Sequence, residues 1–128
     1  MKLATISREK LNERTRWGRN ARNRMHGSCM GCGKKKSGLQ IHEIERRSHA
    51  PGRWAHRCNY LLLCATCHGW TFDCMPHSQQ LTHKLYWDPE HFDLEKWLRI
   101  RDPDLVAPRR IEMAEIIMWI PELKERFG

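Results

Sequence analysis

Two pairs of cysteines in this chain have the spacing of metal ligands. Cys29 and Cys32 form the first pair and Cys64 and Cys67 the second, with glycines close to both pairs and 31 residues between them. Two intervening residues allow both sulfurs of a pair to reach one tetrahedral ion from a tight turn. Four thiolates fill the coordination shell of Zn²⁺ and leave no open position, so the spacing predicts a structural zinc site.

The two remaining cysteines, Cys58 and Cys74, lack this spacing, and we expect them to be small core residues or free thiols. The sequence shows no charged-then-apolar signal segment and no apolar run as long as a membrane span. Together with the paired cysteines, this favours reduced thiols over disulfides. We therefore expect a cytoplasmic protein with no membrane partner.

Positive charge is concentrated in the first half of the chain. Residues 1–60 hold 15 Lys and Arg against 4 Asp and Glu, whereas residues 61–128 hold 8 against 11, giving +11 and −3 and the formal net charge of +8. Such a basic stretch can neutralise several phosphates and bind nucleic acid in a salt-sensitive, sequence-independent manner. The predicted nucleic-acid-binding residues are Arg14, Arg16, Arg19, Arg22, Arg24, Lys34, Lys35 and Lys36.

The pattern of residues divides the chain into three parts. Residues 1–26 are predicted to be a basic arm that is partly helical, with a helix that opens near Ser7 and is weakened from Gly18 onward. Residues 27–75 form the cysteine-bounded module. Residues 76–128 carry apolar side chains at roughly helical spacing and predict a helical C-terminal extension.

Three short elements are predicted within the cysteine-bounded module. Residues 39–44 alternate apolar and polar side chains, which is typical of a half-buried strand. Residues 60–63 are an apolar run too short for its period to be read, and a helix is expected from Cys67 that stops before Pro76. The expected order is strand, loop, strand, helix.

This order would bring His42 and His68 to one side of the zinc-pinned hairpin. Two neutral imidazoles there could hold one divalent cation and leave positions open for a phosphate oxygen and a water, the requirements for phosphodiester hydrolysis. Asn59 cannot take a proton from the water, because an amide does not titrate in this range. Its expected role is to orient a loop or the base by hydrogen bonds.

Three stretches of the module follow one another in a characteristic order: Cys29-x-x-Cys32, Ile41-His42-Glu43-Ile44 and Asn59-Tyr60-Leu61-Leu62-Leu63-Cys64-x-x-Cys67-His68. This series resembles the HNH endonuclease family, and most of all its zinc-stabilised, phage-type branch. The resemblance covers about residues 27–75. It implies a ββα-metal finger that cuts or nicks DNA with one catalytic divalent cation, such as Mg²⁺ or Mn²⁺. By position, His42 and His68 would be ligands of that cation and Asn59 the central asparagine.

The module departs from the family pattern at Glu43. In the family this strand usually reads Asp-His or His-His, and the second histidine is the general base. A free glutamate titrates near pH 4 and is a weak base at pH 7 unless burial raises its pKa. Three interpretations stay open: Glu43 is the base, His42 is the base in a shifted register, or catalysis is impaired or uses a loop histidine such as His49 or His56.

The sequence thus predicts an α+β protein, in which a small zinc-stapled ββα-metal module carries an N-terminal basic arm and a helical extension. The predicted function is that of a metal-dependent HNH endonuclease that hydrolyses DNA phosphodiester bonds, by nicking or double-strand cleavage. Because phage members often serve in genome packaging, phage packaging proteins are expected partners of a phage-encoded protein in the host cytoplasm. Both a monomer and a homodimer are compatible with the sequence. The alternative function is a non-catalytic zinc-stabilised nucleic-acid-binding module, or an adaptor for a larger nuclease or terminase.

Overall fold

The computed structural model describes residues 6–104 and 110–128, and the side chains of residues 110–112 are not described. The first five residues of the predicted arm and residues 105–109 of the extension therefore lie outside the described residues. The longer elements are α1 (Arg8–Arg24), β1 (Gln40–Glu43), β2 (Tyr60–Leu63), α2 (His77–Trp87), α3 (Leu94–Arg101), α4 (Arg110–Met118) and α5 (Ile120–Phe127). Short helical turns lie at Arg57–Asn59, Cys67–Thr71 and Pro89–His91. The predicted mixture of helices with a small sheet is confirmed.

Helix α1 is longer than the sequence predicts. The Ser7 hydroxyl caps its start by accepting a hydrogen bond from the Lys10 amide at 3.2 Å. The helix then continues through Gly18 to Arg24, so the expectation that Gly18 weakens it is wrong. A Cβ atom at Gly18 would lie 2.7 Å from Ile41 Cδ1, so the glycine is the point at which the helix packs closely on β1. Tertiary packing outweighs the low helix propensity of glycine here.

Strands β1 and β2 form an antiparallel pair in which His42 lies opposite Leu61 and Glu43 opposite Tyr60. All four residues of β2 are buried, whereas Gln40 of β1 is exposed. One face of this small sheet meets α1 and the other meets α2 and the turn before it. Successive side chains of β1 consequently point toward different helices.

The helix predicted from Cys67 is a single π-helical turn, Cys67–Thr71. The Phe72 amide closes it with a hydrogen bond to the Cys67 carbonyl at 2.8 Å. The chain then turns and α2 begins at His77, directly after Pro76, whose ring suits the start of a helix but not its interior. The prediction of a helix that stops before Pro76 therefore overestimated its length.

Helix α2 lies at the centre of the fold and buries several polar residues. Lys84 is fully buried, and its ammonium group donates to the Arg57 carbonyl at 2.8 Å, the Tyr60 carbonyl at 2.7 Å and Asp88 Oδ2 at 2.7 Å. These bonds use all three ammonium protons. The Asp88 carboxylate accepts further hydrogen bonds from the side chains of Trp17, Arg24 and His91. This polar cluster ties α1, α2 and β2 together.

Helices α4 and α5 pack on α2, whereas α3 packs on the short helical turn that leads into β2. The Asp93 side chain caps α3 by accepting from the Lys96 amide at 3.0 Å, and the apolar side of α3 is buried in the main core. On the other side, the Thr82 hydroxyl of α2 donates to the Ile116 carbonyl of α4 at 2.8 Å. Among the described helices, none is both long and apolar enough to cross a membrane.

Candidate metal site and histidine pair

The sulfurs of Cys29, Cys32, Cys64 and Cys67 all lie within 4.8 Å of one another. Sulfurs bound to one tetrahedral Zn²⁺ at about 2.3 Å are about 3.8 Å apart, so only small shifts would close a shell around an ion. Three of the four cysteines are buried and Cys32 is half-buried. The four cysteines therefore form a site that can hold a structural metal ion such as zinc, as the sequence predicts.

The backbone around the cysteine site is arranged to receive thiolates. The amides of Gly31 and Cys64 each lie 3.2 Å from Cys29 Sγ and donate to it. The Met30 amide donates to the Leu62 carbonyl at 2.8 Å, which fastens the first cysteine turn to β2. N–H groups directed at one sulfur stabilise its anionic form.

The other two cysteines stay outside this site. Cys58 is buried in the core, and burial raises the pKa of its thiol to about 12, so it is a neutral group at pH 7. Cys74 is exposed. These environments agree with a core residue and a free thiol.

The structure brings together the two histidines that the sequence singles out. His42 Nδ1 of β1 and His68 Nδ1 of the π-helical turn lie 3.0 Å apart, and the rings meet edge to face at 83°. His68 directly follows Cys67, so the cysteine site also fixes the position of this histidine. A metal bound by the cysteines would thus hold one half of the histidine pair in place.

Gln80 of α2 orients His42, and no spacing in the sequence pointed to it. The Gln80 amide nitrogen donates to the Phe72 carbonyl at 3.1 Å and the Met75 carbonyl at 2.8 Å. Because both amide protons are used in this way, Oε1 faces His42 Nε2 at 2.8 Å and must accept its proton. We infer that Nδ1 of neutral His42 keeps its lone pair and directs it at His68.

Burial keeps His42 neutral near pH 7. It lowers the pKa of the imidazole below the usual range, against the opposing effect of the hydrogen bond to Gln80, and the nearby His68 lowers the pKa further. The Nδ1 lone pair of neutral His42 can accept the proton of His68 Nδ1 or, in its place, bind a cation.

Glu43 does not join the histidine pair. It follows His42 on β1 and so points to the opposite face of the strand. Its carboxylate contacts Arg47 Nε at 2.6 Å and the Arg14 guanidinium at 3.4 Å. This placement does not favour Glu43 as a general base, and that role stays a prediction.

The two loop histidines also have other contacts. His49 is exposed, and its Nδ1 lies 3.4 Å from the buried Glu45 carboxylate. His56 Nδ1 accepts a hydrogen bond from the Cys58 amide at 3.1 Å and caps the short helical turn that leads into β2. Neither contact directs an imidazole toward the His42–His68 pair.

Asn59 is fully buried, and its side-chain amide joins separate segments of the chain by hydrogen bonds. Its Oδ1 accepts from the Glu45 amide at 2.7 Å and from Trp97 Nε1 at 2.9 Å. Its Nδ2 donates to the Glu45 carbonyl at 3.1 Å and the Trp54 carbonyl at 3.0 Å. All four bonds of the amide fix the loop between the strands and its contact with α3, which fits the orienting role expected for it.

The predicted nucleic-acid-binding residues divide into two groups. Three arginines make contacts within the fold, although Arg22 and Arg24 are also exposed: Arg14 contacts Glu43, Arg22 donates to the Leu39 carbonyl at 3.1 Å, and Arg24 pairs with Asp88 at 2.8 Å. The remaining five residues are all exposed to a partner's phosphates: Arg16, Arg19, Lys34, Lys35 and Lys36.

Comparison with known proteins adds no family assignment. No protein-family model matches the chain, and neither a curated protein nor a solved structure shows significant similarity to it. What the protein does must be inferred from the cysteine site, the histidine pair and the charge around them.

Proposed function

We propose that this protein is a metal-dependent endonuclease of the HNH type, which hydrolyses DNA phosphodiester bonds. The observation that carries the proposal is the 3.0 Å approach of His42 Nδ1 and His68 Nδ1 next to a four-cysteine site. A two-stranded hairpin followed by a helical turn agrees with the ββα-metal finger that the sequence motifs predict. In this proposal the four cysteines hold zinc for stability, and the histidines carry the chemistry.

The two histidines are suited to hold one divalent cation, such as Mg²⁺ or Mn²⁺. Their Nδ1 atoms lie 3.0 Å apart, so both imidazoles would hold one ion through these nitrogens. When bound, such a cation polarises a phosphodiester and stabilises the leaving oxygen. Two protein ligands leave coordination positions open for substrate and water.

Gln80 would act as a positioning residue for this site. It holds the His42 proton on Nε2 and so leaves a lone pair on Nδ1, the nitrogen that faces His68. Partners of this kind fix the orientation of metal-binding histidines and raise the affinity for the ion.

The charge of the chain supports a nucleic acid as the substrate. The formal net charge is +8, and the exposed cations of α1 and of the first cysteine turn can pair with phosphates. Arg47, an exposed residue paired with Glu43, adds a guanidinium group beside the hairpin. Contacts between such side chains and DNA phosphates depend little on the DNA sequence.

A non-catalytic nucleic-acid-binding or adaptor module, acting with a larger nuclease or terminase, is the second candidate. The observation that favours it is the position of Glu43, which replaces the family's general base and is bound by Arg14 and Arg47. Such a protein would keep the zinc and bind DNA without cutting it.

Conversion of supercoiled plasmid separates the two candidates. The purified protein is incubated with Mg²⁺, Mn²⁺ or a chelator, beside His68→Ala and beside His49→Ala, which removes an exposed histidine outside the pair. We expect nicked or linear product only with a metal ion, lost in His68→Ala and retained in His49→Ala. DNA binding with intact zinc but no cleavage under any metal would support the binding module instead.

A further inference from the structure

A basic groove runs along one side of α1. Two hollows of about 260 and 150 Å³ open there, and they adjoin because Glu13, Ala55 and His56 line both of them. The larger hollow lies between α1, α3 and the loop that joins the strands, and the smaller one continues along α1 to Asn20. We call this surface the α1 groove. The lysines and arginines that line it are Lys10, Arg16, Arg53, Arg57, Lys96 and Arg99.

The α1 groove is far more positive than the chain as a whole. Its six cations face one carboxylate, that of Glu13, so the lining residues sum to +5 with the histidines neutral. Glu95 does not line the groove but pairs with Arg99, and counting it leaves +4. The whole chain has 23 Lys and Arg against 15 Asp and Glu, fewer than two cations for each acidic residue. A concave surface of one sign attracts and concentrates a ligand of the opposite charge.

The fold assembles this charge from segments that are distant in the sequence. Besides α1, the loop between the strands supplies Arg53 and Arg57, and α3 supplies Lys96 and Arg99. Helix α3 belongs to the second half of the chain, whose formal net charge is −3, so its cations at the groove are not part of a general basic face. Arg53 is held in position because its Nε donates to the Ile100 carbonyl at 3.1 Å. A guanidinium that is already positioned loses less side-chain entropy when it binds an anion.

The pKa of His56 agrees with a positive potential in the groove. Burial lowers the pKa of this imidazole, and the charges of Lys96 and Arg57 lower it further. Their effects exceed the opposing effects of two carboxylates, Asp93 and Glu13. Cations from α3 and from the loop between the strands therefore act on the same point of the groove.

The length of the groove fits a polymer of phosphates. Helix α1 rises about 15 Å from Lys10 to Asn20, at about 1.5 Å for each residue. One strand of duplex DNA carries a phosphate for about every 3.4 Å of helix axis, so about four phosphates would lie alongside this length. Arg16 belongs both to the groove and to the nucleic-acid-binding residues predicted from the sequence. A DNA backbone therefore matches the length of the groove as well as its charge.

We infer that the α1 groove binds the phosphate backbone of DNA. This inference rests on the DNA binding of the proposed function and deepens it by naming the surface on which the substrate lies. Because phosphates are the same in every sequence, these contacts position the DNA without reading its bases. The contacts that the inference adds to those predicted from the sequence are Lys10, Arg53, Arg57, Lys96 and Arg99.

The test is equilibrium binding of a fluorescein-labelled DNA duplex at several salt concentrations, without added divalent cation. Lys10→Gln with Lys96→Gln removes one exposed cation from each side of the groove, and Lys124→Gln with Arg126→Gln removes the same charge from α5 as the control. We expect the groove pair to reduce the slope of log K against log salt by about 1.8, or about 0.9 for each lost contact. The control pair should leave the slope nearly unchanged.

Acetylation of lysines, read by mass spectrometry, tests the same surface in the unmutated protein. Bound DNA should slow the acetylation of Lys10 and Lys96 and leave that of Lys124 unchanged. The inference is overturned by an unchanged slope in the groove pair, by an equal loss of slope in the control pair, or by unprotected Lys10 and Lys96. In each of these cases wild-type DNA binding leaves the proposed function standing. If wild type binds no DNA, the proposed function fails and the inference fails with it.

Discussion

His42 and Gln80, 38 residues apart in the chain, are joined by a 2.8 Å hydrogen bond between Nε2 and Oε1. Since the Gln80 amide protons are used by two backbone carbonyls, this bond fixes which nitrogen of His42 carries the proton. The candidate site thus comprises strand β1, the π-helical turn that begins at Cys67 and helix α2, and each of the three supplies one residue.

Replacing Gln80 should lower the cleavage rate, although this residue acts only through its hydrogen bond to His42. Gln80→Leu keeps the size of the side chain but releases the His42 ring, so we expect a 10- to 100-fold loss of cleavage, the usual cost of removing such a partner. Gln79→Leu, the neighbouring half-buried position, is the matched control. Equal activity of both variants, with a lower melting temperature for Gln80→Leu alone, would mean that Gln80 only supports the backbone.

The cysteine site should be needed for folding as well as for zinc. Cys64→Ala is expected to lose the metal and much of the fold, because metal binding supplies folding free energy. Cys74→Ala removes an exposed thiol outside the site and should keep both. Metal content by atomic spectroscopy and thermal unfolding give the comparison, and a well-folded, metal-free Cys64→Ala protein would contradict the assignment.

Glu43→Gln should separate an arginine-holding role from a general base. If Glu43 mainly positions Arg14 and Arg47, we expect plasmid cleavage to fall by no more than about tenfold, and Glu125→Gln on α5 to have no effect. A general base contributes about 10²- to 10⁴-fold. A loss of that size in Glu43→Gln, with DNA binding intact, would establish Glu43 as the proton acceptor.

Some features of the site could be predicted from the sequence, whereas the contacts of the basic residues and the residue that orients His42 could not. Ligand spacing is local, so the cysteine pairs and the strand with His42 could be predicted from their own residues. Whether Arg22 and Arg24 also contact other parts of the fold depends on where α1 packs, and α1 packs closely on β1 where Gly18 meets Ile41. Gln80 was missed for the same reason, because its partners come from distant segments.

Asp88 should contribute stability that depends on pH. Burial alone raises the pKa of this carboxyl, but the charge and hydrogen bond of Lys84 outweigh it and hold the pKa below its usual value. A folded-state pKa below the unfolded value of about 3.9 means stability that is present above pH 4 and lost as the pH falls through the folded-state pKa. The free energy of unfolding of wild type should therefore decrease as the pH falls through that range.

Asp88→Asn should remove this dependence and destabilise the protein at pH 7, by about 3–5 kcal/mol, because the buried Lys84 ammonium loses its counter-charge. Urea unfolding at a series of pH values measures both effects. Asp73→Asn, at an exposed ion pair, is the control and should change stability by less than about 1 kcal/mol. If the free energy of unfolding of Asp88→Asn falls with pH in parallel with that of wild type, other carboxyls cause the loss of stability in acid.

The exposed arginines of α1 should bind DNA through its phosphates. Arg16→Ala with Arg19→Ala should weaken binding to all sequences alike and reduce the slope of log K against log salt by about 1.8, or about 0.9 for each lost contact. Lys124→Ala with Arg126→Ala removes the same charge from α5 and should leave the slope nearly unchanged. A change confined to one DNA sequence would instead mean that α1 reads bases.

The most direct test of the central claim is calorimetric titration of the zinc-loaded protein with Mn²⁺. Wild type and His49→Ala should each show one Mn²⁺-binding site. This site should be lost in both His42→Ala and His68→Ala, while the zinc content stays constant. Equal Mn²⁺ binding by wild type and the two pair variants would contradict the proposal that His42 and His68 hold the catalytic cation.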